Sequence, residues 1–281
     1  MHENNQTSLL YRAPAPFGEK SFFDDFQRLD EILKFIDELE ADNKGLVSTK
    51  SIGKSFEARD LKIMKISNKN DTEIKPIVYI DAGTHAREWI TISTAMYIAN
   101  RLVQDYNYDT SVKKLVNAFD WYILPVANPD GYEYTHTKDR MWRKTRSATK
   151  SIWGCKGVDP NRNWGFHWNG KLTRFKYKMP LTSDRWHSQC FPKKQIKKIV
   201  FLCGTEVGAS GSPCSEIYAG SKAFSEVETK TMANFLTQNK DKIKIFLTLH
   251  SYSQLWLTPW GYTSQLPSDY DNLVSFNLFY H

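Results

Sequence analysis

Two short apolar runs that lie far apart in the sequence both end close to residues able to bind a metal ion. The run 76–80 leads into His85 and Glu88, and the run 243–249 leads into His250. An imidazole and a carboxylate at the mouth of a strand can turn toward one point, and a second imidazole can close the set. Two nitrogens, one carboxylate oxygen and an open fourth position are typical of a catalytic zinc site. A fold that uses this pattern must bring the ends of the two runs together.

The composition of the 281-residue chain is that of a folded globular protein. Hydrophobic residues make up 41% and aromatic residues 14%, enough for one sizeable core. The longest unbroken apolar run, 199–203, is far too short to cross a bilayer, so no membrane partner is predicted. The polar opening 1–6 has no apolar core, so we do not expect it to be a signal peptide. Either the protein is intracellular, or this chain lacks its natural export segment.

The net charge of +7 is concentrated in one segment. Residues 170–206 contain nine basic and two acidic side chains, which account for the whole excess. A local basic stretch is more often a solvated loop than a nucleic-acid groove. We therefore predict no nucleic-acid partner, with a basic nucleic-acid binder as a rival interpretation.

The four cysteines have no C-x-x-C spacing, so a thiolate zinc cluster is not expected. One or two disulfides in a secreted protein, or inert thiols, fit the spacing better. His187, Cys190 and Cys203 offer a second metal site as a weaker alternative to an irregular insertion.

The apolar periodicity predicts alternating helices and strands. After an extended lead-in, 1–20, apolar positions recur at three- and four-residue steps through 22–39, which predicts a helix with Ser21 as its N-cap. Ile90 is placed on the apolar face of the next predicted helix. Helices are also predicted at 89–106, 111–119 and 223–236, and strands at 61–66, 76–80, 121–126 and 243–249. This alternation favours an α/β class: a three-layer α/β/α sandwich around a mixed, mostly buried sheet.

Several segments resemble those of one known family. A histidine and a glutamate at this spacing are weak evidence alone, but residues 81–89 resemble the zinc signature of the carboxypeptidase A/B family. Residues 250–255 resemble the segment that carries that family's third ligand. Four further segments occur in the family's order: 129–132, 140–146, 159–164 and 212–216. The resemblance extends from about 26 to 262, interrupted at 170–206.

The resemblance implies a role for each matching residue around one Zn²⁺. The implied zinc ligands are His85, Glu88 and His250, and Asp159 would orient His85 through its other ring nitrogen. Arg143 would stabilise the oxyanion, and Asn161 and Arg162 would bind the free C-terminal carboxylate of a substrate. Further substrate subsites would be lined by Arg87, Arg140, Ser251 and Tyr252. The resemblance also implies a disulfide between Cys155 and Cys214 and a cis peptide bond between Ser251 and Tyr252.

The implied function is zinc-dependent hydrolysis of C-terminal amino acids from peptides and proteins by an extracellular monomer. The family's general base is a glutamate well beyond the third ligand, and no glutamate follows His250 in this chain. We therefore expect 21–281 to be a single but partial catalytic domain, with a basic insertion at 170–206 and impaired activity. The alternative is a non-catalytic module that binds zinc or a peptide C-terminus.

Overall fold

The computed structural model describes residues 21–69, 74–166, 168, 198–199, 208–253, 255–260, 265–271 and 273. The predicted lead-in 1–20 and almost all of the basic segment 170–206 lie outside the described residues. The weaker metal-site alternative, made of His187, Cys190 and Cys203, also lies outside them.

The described residues form a mixed sheet, as predicted, and it has six strands. Its strands are β1 (Val47–Lys54), β2 (Asp60–Ile66), β3 (Ile77–Asp81), β4 (Asp120–Leu124), β5 (Lys198–Ile199) and β6 (Ile243–Thr248). Their order across the sheet is β1-β2-β4-β3-β6-β5. The pairs β1-β2 and β2-β4 are antiparallel, whereas β4-β3, β3-β6 and β6-β5 are parallel.

Strand β3 organises the sheet because it is buried along its whole length and has parallel neighbours on both sides. Its last residue, Asp81, is paired with Leu124 of β4 and with Thr248 of β6. The carboxyl ends of three parallel strands therefore lie level with one another. This is the edge at which parallel sheets present ligand-binding residues.

Five α-helices accompany the strands within the described residues: α1 (Leu29–Asp42), α2 (Trp89–Gln104), α3 (Thr110–Ala118), α4 (Pro129–Thr137) and α5 (Val227–Asn239). None of them has both the length and the apolar character that crossing a membrane requires.

Alternate side chains of β3 enter two separate cores, one on each face of the sheet. Val78 and Ile80 lie in a cluster with residues of α1 and α2, such as Ile36 and Met96. Ile77 and Tyr79 lie in a second cluster with α5, where the Tyr79 ring stacks on Phe246. Because a strand directs successive side chains to opposite faces, the sheet is buried on both sides. The three-layer α/β/α prediction is confirmed.

The predicted helix over 22–39 is wrong in its first turn. Ser21 does cap a helical segment, but this is the short 3₁₀ turn Phe22–Asp24, and α1 begins only at Leu29. The side chain of Asp24 accepts a hydrogen bond from the Ser21 backbone at 2.7 Å, which completes a capping box. The chain then runs extended at Arg28, so that Phe22 folds back and stacks on Phe35.

Other boundaries and one helix also differ from the predictions. The predicted helix 223–236 begins at Val227 and continues to Asn239, and Ile90, placed on the apolar face of α2, is half exposed. Helix α4 was not predicted. Its start is nevertheless encoded locally, because the Asn128 side chain accepts a hydrogen bond from the Gly131 backbone and Pro129 occupies the first turn.

Candidate metal centre

His85, Glu88 and His250 converge on one small volume at the carboxyl ends of β3 and β6. Nδ1 of His85 lies 2.7 Å from Glu88 Oε1, and Nδ1 of His250 lies 3.1 Å from Glu88 Oε2. The two Nδ1 atoms are 3.1 Å apart. In the part of the chain that the structure describes, this is the one group of three such residues able to hold a metal ion.

The donor set fits a zinc ion. Tetrahedral ligands about 2.0–2.1 Å from zinc lie roughly 3.3 Å from one another, close to the separations found here. Two ring nitrogens that face each other at 3.1 Å with their lone pairs inward repel unless a cation or a proton lies between them. Two imidazoles and one carboxylate leave a fourth position open, which is typical of catalytic rather than structural zinc sites.

The turn between β3 and α2 positions the first two ligands. Gly83 adopts a left-handed conformation with φ +64°, and a Cβ atom at this position would lie 2.9 Å from Ile92 of α2. The backbone N–H of Gly83 donates to Thr91 Oγ1, and that of Glu88 donates to the His85 carbonyl. The turn is therefore tight, and it holds His85 and Glu88 in a buried position.

The surroundings of the group keep Glu88 ionised and favour a neutral His250. Burial raises the pKa of Glu88, but hydrogen bonds from His250 and His85 outweigh this and lower it to about 2. Burial lowers the pKa of His250, and its hydrogen bond to Glu88 only partly compensates. An ionised carboxylate beside a neutral imidazole is the combination that a divalent metal ion requires.

Asp159 holds the other side of His85. Its Oδ1 lies 3.2 Å from His85 Nε2, while its Oδ2 accepts hydrogen bonds from Nε and Nη2 of Arg143 at 3.1 and 2.9 Å. Burial opposes ionisation of this fully buried group, but His85, Arg143 and Arg162 hold its pKa well below the usual range. Asp159 is therefore a carboxylate that can fix the His85 ring, with Nδ1 directed to the metal position.

Two arginines lie next to this group. Nη1 of Arg143 lies 3.9 Å from Glu88 Oε1, which places the guanidinium beside the ligand carboxylate. Arg162 donates through Nε to the Gly208 carbonyl at 2.7 Å and through Nη1 to the Asn161 carbonyl at 3.2 Å. Burial lowers the pKa of Arg162, although the charge of Asp159 opposes this.

The residues assigned to outer subsites differ in their surroundings. Ser251 donates its backbone N–H to Glu88 Oε2 at 3.1 Å, so it contacts the ligand group directly. Tyr252 follows a cis peptide bond, in agreement with the resemblance, and its side chain is almost fully exposed. Arg87 pairs with Glu216 at 3.3 Å, and Arg140 lies 3.7 Å over the Trp89 ring. Both arginines contact other protein groups, and Arg87 is partly exposed while Arg140 is exposed.

Cys155 and Cys214 form a disulfide with a Cα–Cα distance of 5.1 Å, which confirms the pairing implied by the resemblance. The bridge joins the loop after Arg143 to the segment that contains Glu216. The bridge therefore ties the segment that carries Glu216, the partner of Arg87, to that loop.

The sequence interpretation assigned no role to Thr248 and Asp81. The Thr248 hydroxyl donates to Asp81 Oδ1 at 2.8 Å and lies 3.4 Å from His250 Nε2. A local signal existed, since Asp81 opens the first motif and Thr248 stands two residues before His250. Only the parallel pairing of β3 and β6 brings the two side chains together.

Comparisons with known proteins agree with this geometry. The family model described as zinc carboxypeptidase matches residues 32–281. A carboxypeptidase B from Astacus astacus is 43% identical over 244 residues, which cover 87% of this chain and 67% of the relative. A carboxypeptidase A2 from Rattus norvegicus is 39% identical over 271 residues, which cover 96% of this chain and 55% of the relative.

Solved structures show the same relationship. The crystal structure of thrombin activatable fibrinolysis inhibitor matches with a TM-score of 0.74 at 33% identity, covering 92% of this chain and 55% of that one. Carboxypeptidase A from Helicoverpa armigera matches with a TM-score of 0.73 at 30% identity, over 92% of this chain and 53% of that one. The chain thus spans little more than half the length of most of these proteins. It belongs to the zinc carboxypeptidase family.

Proposed function

We propose that the protein removes C-terminal amino acids from peptides and proteins, using one zinc ion held by His85, Glu88 and His250. The observation that supports this most directly is the convergence of the two Nδ1 atoms and the Glu88 carboxylate, each within about hydrogen-bond distance of the others. A zinc ion held there would act as a Lewis acid toward the scissile carbonyl and the attacking water.

In this proposal Arg143 stabilises negative charge on the carbonyl oxygen as the peptide bond is attacked. Its guanidinium lies beside the ligand group and is held by two hydrogen bonds to Asp159, so it is oriented before substrate binds. One such preorganised donor contributes about 10²–10³ in rate.

Asn161 and Arg162 are proposed to bind the terminal carboxylate of the substrate. Arg162 is held by the Gly208 and Asn161 carbonyls, and a guanidinium is planar and matches a carboxylate with two parallel hydrogen bonds. Only a chain end supplies that anion, so such a contact would restrict cleavage to the last residue. Arg87, Arg140, Ser251 and Tyr252 are proposed to contact residues further along the substrate.

We further propose that the protein acts outside the cell as a monomer. The Cys155–Cys214 disulfide supports the location, because disulfides persist mainly in oxidising compartments.

The test compares matched N-acylated dipeptides that end in phenylalanine, leucine or lysine, each with a free C-terminal carboxylate or with a C-terminal amide. Zinc content and affinity are measured on the same protein by chelator competition. We expect zinc to bind at one equivalent and only the free acids to lose their last residue. Equal cleavage of acids and amides, or no zinc binding, would contradict the proposal.

The Arg162→Gln variant tests the carboxylate contact. Loss of a charge-assisted hydrogen bond of about 1.5–3 kcal/mol should lower kcat/KM for the acids by roughly 10–150-fold and leave zinc affinity unchanged. Arg101→Gln, on the half-exposed end of α2, is the matched control and should change neither quantity. Binding of zinc and of free-acid peptides without any cleavage would instead support the non-catalytic binding module.

A further inference from the structure

The proposed ligands His85 and His250 both direct Nδ1 toward the metal position, and the Nε2 atom of each lies near an oxygen. For His85 that oxygen is Asp159 Oδ1 at 3.2 Å. For His250 it is the hydroxyl of Thr248, at a longer 3.4 Å. A neutral imidazole can bind a metal through Nδ1 only when its proton is on Nε2. Whether the Thr248 hydroxyl accepts or donates a hydrogen bond therefore affects which neutral form of His250 is favoured.

The proton of the Thr248 hydroxyl is committed to a different partner. Thr248 Oγ1 lies 2.8 Å from Asp81 Oδ1, which is much shorter than its distance to His250. Asp81 is buried, and Thr84 also donates to its Oδ1, at 3.4 Å. A hydroxyl has one proton and two lone pairs. When Asp81 is ionised, the Thr248 proton points to it, so the lone pairs of Thr248 can only accept and favour a proton on His250 Nε2.

A competing arrangement is available at the same site. Glu88 Oε2 lies 3.1 Å from His250 Nδ1 and would accept a proton from it. In that form Nδ1 carries the proton and cannot bind a metal. The same Glu88 oxygen already accepts the backbone N–H of Ser251 at 3.1 Å, so it is partly satisfied without His250. The position of the His250 proton is thus a balance between Glu88 and Thr248.

We propose that Thr248, oriented by Asp81, is a positioning residue that holds His250 in its Nε2–H form and so keeps Nδ1 available for the metal. The inference rests on the proposed function for the identity of the metal. The contacts of Thr248 with Asp81 and with His250 do not depend on that function. Outer partners of metal-binding histidines commonly contribute about 10–100-fold to metal affinity.

The test uses Thr248→Val, which keeps the shape of the side chain and removes the hydroxyl, and Thr248→Ser, which restores it. Two-bond ¹H–¹⁵N correlation spectra of the metal-free protein report which ring nitrogen of His250 carries the proton. Chelator competition reports the affinity for Zn²⁺. We expect Thr248→Val to lower the Nε2–H fraction of His250 and to weaken zinc binding about 10–100-fold, and Thr248→Ser to restore both.

Thr49→Val is the matched control. Thr49 also lies in a strand and also donates its hydroxyl to a carboxylate, Glu40, but β1 is an edge strand, separated from β6 by three other strands. This variant should leave the His250 tautomer and the zinc affinity unchanged. Thermal unfolding of all four proteins identifies variants that fail to fold, and Thr248→Ala replaces Thr248→Val if the latter does not fold.

The outcomes separate this inference from the proposed function. Normal zinc affinity and an unchanged His250 tautomer in Thr248→Val would overturn the inference and leave the zinc carboxypeptidase proposal intact. A tautomer shift in a protein that binds zinc but cleaves no peptide would support the inference and contradict the proposed activity.

Discussion

Glu228 should make the protein less stable as the pH rises from about 4.5 to 7. The side chain lies in the first turn of α5 and is almost completely buried. Burial raises its pKa from the ordinary 4.5 to about 7, with a further contribution from the charges of Glu226 and Asp130. A hydrogen bond from the Phe56 backbone to Oε1 at 2.9 Å opposes this only in part. Among the described residues Oε2 has no hydrogen-bond partner.

The size of this loss of stability follows from the shift in the pKa of Glu228. About 2.5 pKa units at about 1.4 kcal/mol each correspond to roughly 3 kcal/mol between the protonated and ionised forms. Because the folded state holds the proton more tightly than the unfolded chain, stability is greatest below the unfolded pKa. Stability falls as the pH rises from about 4.5 to 7, and it levels off above the pKa that Glu228 has in the folded protein.

The Glu228→Gln variant isolates this contribution. A glutamine keeps an oxygen for the Phe56 N–H and cannot ionise. Near pH 4.5 we expect the free energies of unfolding of variant and wild type to agree within about 0.5 kcal/mol, and by pH 8 the variant to be more stable by up to about 3 kcal/mol. Urea unfolding across this pH range measures the difference.

Glu38→Gln is the control, because Glu38 lies on the exposed face of α1 with 59% of its side chain accessible, and its difference from wild type should stay small at every pH. A difference between Glu228→Gln and wild type that does not change between pH 4.5 and 8 would refute the assignment of a raised pKa to Glu228.

Two further predictions concern the loop after Arg143. Gly157 and Gly154 both have positive φ, but a Cβ at Gly157 would lie 1.9 Å from the Thr145 carbonyl oxygen, whereas at Gly154 it would meet nothing within 4 Å. Gly154→Ala should therefore cost only about 1–2 kcal/mol of backbone strain and Gly157→Ala clearly more, and equal losses in urea unfolding would contradict this. Replacing Cys155 and Cys214 by serine opens a loop with a sequence separation of 59 and should lower stability by about 2–4 kcal/mol. An unchanged unfolding midpoint for that double variant would show that the bridge contributes nothing.

Much of the fold and the meeting of His85 with Glu88 could be predicted because their signals are local. An apolar run such as 76–80 predicts a buried strand wherever the strand lies in the sheet, and β3 was found there. The motif around His85 and Glu88 is likewise contained in one turn, where a three-residue spacing directs both side chains to one point. The start of α1 was predicted wrongly because periodicity continues through Phe22, although a capping box closes the first turn and tertiary packing turns that ring onto Phe35.

Tertiary structure alone decided the features that depend on strand pairing and burial. The sequence shows that His85 and His250 both follow strands, but only the parallel register of β3 and β6 brings their Nδ1 atoms within 3.1 Å of each other. The same register places Thr248 on Asp81, a contact that no local pattern predicts. The raised pKa of Glu228 arises because α5 packs this carboxylate beneath the β1–β2 turn, away from water. Local sequence determines which residues are available, and the free energy of packing distant segments together determines which of them meet.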